Sequence, residues 1–142
     1  MIRQSRELKN KHTAEKVAVV NYVAVFSQNK NEYKELYAAA KKIGEVIKNT
    51  PTGDLFKMDG IDTVAGKLRL VRIRLPDPTR PERGDADFTV ADYIMFKKKY
   101  LAKAGFKLVE RKDFEMIELT DPSFNVRAYF SNPPLDLQLG LR

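Results

Sequence analysis

The chain has 142 residues, a length typical of one domain, and 43% of them are hydrophobic, which is enough for a core. It has no cysteine and one histidine, which excludes disulfides, thiolate zinc sites and histidine-rich metal sites. The net charge of +7 suits an anionic partner, either a small molecule or a nucleic acid, but also fits a merely lysine-rich surface.

The first half of the chain begins with a polar segment and continues with a predicted strand and a predicted helix. Residues 1–14 are polar and basic and predict either a frayed tail or a short helix. Residues 15–27 are rich in β-branched and aromatic side chains and predict a buried strand. Apolar residues then recur at helical spacing over residues 32–47, which predicts an amphipathic helix with Asn29 or Asn31 as its N-cap.

Further strands are predicted before the middle of the chain. DLFKMDGI predicts a short strand with a turn at Asp59-Gly60, and residues 66–76 alternate as a second strand. One more strand, which would be the fourth of this half, is expected around residues 61–64.

The stretch RLPDPTRPERGDAD, residues 74–87, joins the two halves. Its three prolines, each with a fixed φ, predict a stiff, solvated connector from Pro76 to Gly84. Any chemistry of this stretch is therefore expected at its ends, where it meets a strand on each side.

The second half repeats the order of the first. ADFTV predicts a short strand, and residues 89–105 predict a helix with Thr89 or Asp92 near its cap and Gly105 at its end. FKLVER, FEMIELT and NVRAYFS predict three strands. The final NPPLDLQLGLR, with spaced leucines, is expected to pack on a partner subunit or on the chain's own core.

Taken together, the elements predict two βαβββ units in one compact α+β domain. The basic segment covers residues 1–14, the first unit residues 15–80, and the second unit with the C-terminal tail residues 81–142. This order resembles the vicinal oxygen chelate, or glyoxalase-like, superfamily over about residues 17–133. The resemblance implies two βαβββ-like repeats forming a cupped mixed β-sheet with flanking helices. We also expect a homodimer.

In that superfamily the metal ligands come from the first and last strands of each unit and are His, Gln or Glu. The matching positions of this chain hold other residues: Asn21, Arg72 or Arg74, Asp85 or Asp87, and Arg127 or Tyr129. Arginine carries a fixed positive charge and cannot ligate a metal ion, so we expect no metal ion here. We expect no other cofactor either.

Arg72 and Arg127 are the two arginines expected to line the cavity, and two guanidinium groups in a partly enclosed site suit a carboxylate or phosphate bound bidentately. Whether a reaction occurs is left open; if it does, Asp85 or Asp87 is the expected base and the arginines stabilise an enolate-like state. The alternative is that strand-surface arginines pair with aspartates across the sheet. The predicted site for a small anionic ligand is lined by Asn21, Arg72, Asp85, Asp87, Arg127 and Tyr129.

Other interpretations remain open. The cluster Asp77, Glu82, Asp85 and Asp87 is the one acidic group that Mg²⁺ or Ca²⁺ could use, although its spacing matches no known loop. A nucleic-acid-binding module would use the basic start, Lys97 to Lys99 and the arginines of residues 69–83. A structural or interaction protein without a pocket is a further possibility.

The expected location is the cytoplasm, without membrane contact. No apolar run approaches the roughly 18 residues of a membrane helix, and no apolar signal region follows the basic start.

Overall fold

A computed structural model describes residues 1–141. No helix of these residues is long and apolar enough to cross a membrane. The elements of the described chain are, in order, α1 Ile2–His12, β1 Val19–Phe26, α2 Lys30–Ile43, β2 Gly44–Lys48, β3 Leu55–Thr63, β4 Gly66–Arg74, β5 Gly84–Thr89, α3 Tyr93–Tyr100, β6 Phe106–Glu110, β7 Glu115–Leu119, β8 Arg127–Asn132 and α4 Leu135–Gln138.

The strands form one open sheet of eight strands in the order β2-β3-β4-β1-β5-β8-β7-β6. The last strand of each half runs parallel to the first strand of that half, β4 beside β1 and β8 beside β5. The other neighbours are antiparallel, and the β1–β5 pair joins the halves at the centre. The predicted α+β fold of two βαβββ-like repeats in a cupped mixed sheet with flanking helices is therefore confirmed.

The main core lies between the sheet and helices α1 to α3. Phe96 of α3 stacks on Phe130 of β8 with ring centroids 4.4 Å apart, and both rings are almost fully buried. Leu8 of α1 and Phe56 of β3 are also inaccessible to solvent. Full burial of such side chains contributes about 1.5–3 kcal/mol each, so this face stabilises the sheet and leaves the opposite, concave face for a site.

The basic N-terminal segment is a packed helix, one of its two predicted alternatives. Helix α1 lies on β5 and β8, and its Ser5, Leu8 and Lys9 have no exposed surface. The Lys9 Nζ donates to the Glu15 carbonyl at 2.6 Å, and burial lowers the pKa of Lys9 to about 8. This lysine is therefore not available to a phosphate in solution.

Helices α2 and α3 begin with the same contact in the two halves. The Asn29 side chain accepts from the backbone N–H of Glu32 at 2.9 Å. The Asp92 side chain accepts from the backbone N–H of Met95 at 3.1 Å. Each residue is one of the two caps that the sequence predicted for its helix, and each satisfies one of the backbone donors that an α-helix leaves free at its start.

The end of α2 and the position of the additional strand expected around residues 61–64 differ from the prediction. The helix ends at Ile43 and not at residue 47, and residues 44–48 form β2. Residues 61–64 supply no separate strand, because β3 extends through Thr63. A Cβ at Gly44 would lie 2.6 Å from the Lys57 carbonyl oxygen, so glycine allows the chain to leave the helix directly into pairing with β3.

The predicted turn at Asp59-Gly60 was also wrong. Strand β3 continues through Gly60, whose φ of 118° is open mainly to glycine. The register with β4 shifts between Lys57 and Ile61, so these residues form a bulge instead of a turn. The chain reverses later, between Thr63 and Gly66, which face each other at the end of the ladder.

Candidate functional site

The concave face of the sheet contains a cleft of about 720 Å³. Its floor comes from the four central strands, and β6, β7 and the loop between them form one wall. Five of the six residues that the sequence proposed for the site line this cleft: Arg72, Asp85, Asp87, Arg127 and Tyr129.

Asn21 lies outside the cleft. The register of β1 with β5 shifts between Val20 and Tyr22, which leaves Asn21 as the extra residue of a bulge. Its Oδ1 accepts from the backbone N–H of Asp136 at 3.3 Å, beyond the end of the cleft. The resemblance to the superfamily placed Asn21 at a ligand position of β1, but the side chains of β1 that line the cleft are Tyr22 and Ala24.

Strand register arranges the floor of the cleft in rows. Ala24 on β1 pairs with Arg72 on β4 and, on its other side, with Asp85 on β5. Asp85 in turn pairs with Arg127 on β8. Side chains two residues apart on a strand face the same way, so a second row lies beside the first. It consists of Tyr22, Asp87, Tyr129 and Glu118.

Arg127 is held by two glutamates. Its Nη2 lies 2.8 Å from Glu82 Oε1 and its Nη1 lies 3.1 Å from Glu118 Oε2. The Tyr129 hydroxyl donates to the same Glu118 carboxylate at 2.5 Å. Burial acts to lower the pKa of Arg127, but the interactions with Glu82 and Tyr129 together outweigh it and hold the pKa above its ordinary value. The interpretation of arginines paired with carboxylates thus describes Arg127, with glutamates in the place of Asp85 and Asp87.

Arg72 and Arg74 have no such partner. Their guanidinium carbons lie 5.4 Å above the ring centres of Tyr22 and Phe26, respectively, a distance at which cation–π attraction operates. Neither forms an ion pair with a carboxylate of the described residues. The Nε of each is buried without a hydrogen-bond acceptor. Burial also lowers the pKa of Arg74 below its ordinary value.

The two aspartates of the floor differ in their contacts, although only 5% of Asp85 and 4% of Asp87 is exposed. Asp87 accepts from the backbone N–H of Ser131 at 3.2 Å and from its hydroxyl, and burial raises its pKa to about 6. Asp85 accepts no hydrogen bond from a described residue. Burial, and then the charge of Asp87, raise the pKa of Asp85 to about 7. Of the two possible bases, Asp85 is the one left without a donor.

The connector between the halves contributes more than its ends. Arg80, from its middle, lines the cleft with its guanidinium carbon 5.7 Å above the Phe26 ring. Glu82 binds Arg127. The sequence expected any chemistry at the ends of this stretch, whereas the structure shows that its middle also contributes side chains to the cleft and to the contacts of Arg127. The prolines make this stretch stiff. It also contains a turn at Asp77, whose side chain accepts from the Thr79 backbone N–H at 2.9 Å, and the proline spacing alone does not predict this turn.

The donors in the cleft do not fit a divalent metal ion. Within residues 1–141, no group of three or more His, Cys, Asp or Glu side chains is placed to hold one. Three of the four acidic residues that the sequence proposed as a metal cluster bind other groups. Asp77 accepts from Thr79, Glu82 forms a salt bridge with Arg127, and Asp87 accepts from Ser131.

The C-terminal segment closes one end of the concave face. Leu135 and Leu139 pack against the buried cluster that includes Tyr22 and Leu70. The sequence left two places open for this segment, a partner subunit or the chain's own core, and in the structure it packs on the chain's own core.

No model of a known protein family and no curated protein matches the sequence. A solved structure described as "Structural Genomics, Protein EC4020" is similar with a TM-score of 0.73 and 11% identity, over 99% of this chain and 85% of that one. A glyoxalase/bleomycin resistance protein/dioxygenase superfamily member from Vibrio splendidus 12B01 is similar with a TM-score of 0.46 and 12% identity, over 80% of this chain and 96% of that one.

At such identities the likeness concerns the fold alone. The order and pairing of the strands are those that the resemblance to the vicinal oxygen chelate superfamily implies, and the chain has a glyoxalase-like fold. Function must therefore be argued from the residues of the cleft.

Proposed function

We propose that the cleft binds a small anionic molecule, a carboxylate or a phosphate, without a metal ion. Arg72 and Arg74 form the receptor for the anion, and Arg80 adds a third positive charge at the same end of the cleft. A guanidinium group presents parallel N–H donors that match the two oxygens of a carboxylate or phosphate.

The observation that carries this proposal is that no described residue forms a salt bridge with Arg72 or Arg74, on which Asp85 acts only through its charge at longer range. The Nε atoms of Arg72 and Arg74 are buried without an acceptor. A buried donor without a partner costs about 1–3 kcal/mol, and the positive charges add to this cost. A bound anion would remove both costs, whereas Arg127 already has its carboxylates.

The test is a titration of the chain with inorganic phosphate and with 3-phenylpropionate, followed by calorimetry in the presence of EDTA. We expect the double variant Arg72→Gln/Arg74→Gln to bind at least about 100-fold more weakly than the unaltered chain, because two charge-assisted bonds are lost. The matched control is Lys67→Gln/Arg69→Gln, which removes the same charge from the same strand outside the cleft.

Equal weakening in both double variants would mean that only net charge matters and would contradict the site. Binding that disappears with EDTA would contradict its independence of metal ions. Folding of each variant is checked by its thermal unfolding.

A further inference from the structure

We infer that the ligand carries a hydrogen-bond donor, a hydroxyl or an ammonium group, within a few atoms of its anionic group, as a hydroxy acid or an amino acid does. This inference rests on the proposed anion site and specifies its ligand. The residue that would select the donor is Asp85.

The geometry starts from Ala24, the small residue between Arg72 and Asp85 in the first row of the floor. Neighbouring strands lie about 4.8 Å apart, so the Cα atoms of Arg72 and Asp85 are separated by about 10 Å, two strand spacings. The alanine between them lines the cleft and places no polar side chain between the arginine and Asp85. Tyr22 and Phe26, on either side along β1, carry the guanidinium groups of Arg72 and Arg74.

The chemistry of this space is complementary to a ligand with both groups. On the β4 side, two guanidinium groups have Nε donors without an acceptor. On the β5 side, the Asp85 carboxylate accepts no hydrogen bond from a described residue and lines the same cleft. A simple anion would satisfy the arginines but would lie beside a carboxylate without a donor. An anion with a nearby hydroxyl or ammonium group satisfies both sides.

The other polar groups of the floor do not compete for this role. Asp87 is occupied by Ser131, and Tyr129 donates to Glu118. The opposite wall includes the apolar side chains of Val109, Phe114 and Met116. The same wall also contains the charged Lys107, Glu110 and Arg111, so it does not by itself specify the rest of the ligand.

Three probes with one carbon skeleton test the inference: 3-phenylpropionate, 3-phenyllactate and phenylalanine. They differ only in a hydrogen, a hydroxyl or an ammonium group next to the carboxylate. Calorimetry at about pH 8 keeps Asp85 ionised, since its pKa is about 7. We expect phenyllactate and phenylalanine to bind at least about tenfold more tightly than phenylpropionate, the effect of one hydrogen bond to a charged group.

The variant Asp85→Ala should reduce this preference to about twofold or less while phenylpropionate binds at least as well as before, because its carboxylate no longer lies near a negative charge. The control Asp62→Ala removes an aspartate whose side chain is 89% exposed and should leave the preference unchanged. Thermal unfolding shows that each variant is folded.

Two results would overturn the inference: equal affinity of the three probes for the unaltered chain, or a preference that survives Asp85→Ala. Either would leave the anion site intact, provided that Arg72→Gln/Arg74→Gln still abolishes binding. If none of the probes and no inorganic phosphate bound the unaltered chain, the anion site itself would be wrong, and this inference with it.

Discussion

The ends of the cleft are built from equivalent positions in the two halves of the chain, yet they differ in chemistry. Arg72 on the last strand of the first half pairs with Ala24 on the first strand, and Arg127 on the last strand of the second half pairs with Asp85. Arg127 is bound by Glu82 and Glu118, whereas Arg72 has no carboxylate partner. The same fold position thus holds an arginine paired with carboxylates in one half and an arginine without a salt bridge to a described residue in the other.

The difference teaches that residue type and fold position do not by themselves assign a role. The partners of Arg127 come from β7 and from the connector, both outside its own strand. Among the described residues, no glutamate forms an equivalent salt bridge with Arg72. Variants of equivalent residues in the two halves should therefore behave differently where the contacts differ and alike where they agree.

The largest effect is expected at Asp85, whose counterpart is the uncharged Ala24. The pKa of Asp85 is about 7 in the folded chain and about 3.9 when unfolded. The folded state binds the extra proton between these values, so the free energy of unfolding falls as pH rises from about 4 to about 7. Asp85→Asn removes this loss and should stabilise the chain by up to about 4 kcal/mol at about pH 8.

The measurement is urea unfolding of the unaltered chain and of Asp85→Asn at about pH 4.5 and about pH 8. The stability gained by the substitution should be small at the lower pH and large at the higher pH. Asp87, with a pKa of about 6, leaves a smaller dependence of the same sign in the variant. Asp62→Asn is the control, because its side chain is exposed. A gain that is the same at both pH values would show that the charge of Asp85 is not the cause.

The next effect compares Arg127 with Arg72. Arg127→Leu leaves Glu82 and Glu118 partly buried without their partner and should destabilise the chain by about 3 kcal/mol. Arg72→Leu breaks no ion pair and removes a buried donor without an acceptor, so it should leave stability unchanged or increase it. Urea unfolding monitored by circular dichroism measures both.

Adding Glu118→Gln to Arg127→Leu should restore part of the lost stability, because one unpaired carboxylate is removed. If Arg72→Leu and Arg127→Leu lost the same stability, the assignment of different roles to the two ends would be wrong.

The smallest effect is expected where the halves agree. Asn29→Ala and Asp92→Ala each remove one hydrogen bond to a helix start. Each should cost about 1 kcal/mol, measured as a shift of the urea midpoint. A loss at only one of the two caps would indicate that the halves are not equivalent at this point either.

Several elements of the fold could be predicted because their signals are local. The caps, the buried strand β1 and the three strands of the second half follow from residue type and spacing over a few positions. Strand β2 could not, since residues 44–48 continue the helical spacing of α2 and only close pairing with β3 makes Gly44 a boundary. The bulge at Asn21 likewise depends on the register with β5.

The sequence by itself determined the repeated order of strands and helices and the arginines and aspartates of the strands that line the cleft. These properties depend on residue type and on periods of a few residues. The tertiary structure alone decided which arginine is paired. Glu82, Glu118 and Arg127 lie on separate elements, and the folded chain brings both glutamates within 3.1 Å of Arg127, whereas Arg72 and Asp85, on either side of Ala24, form no salt bridge with a described residue.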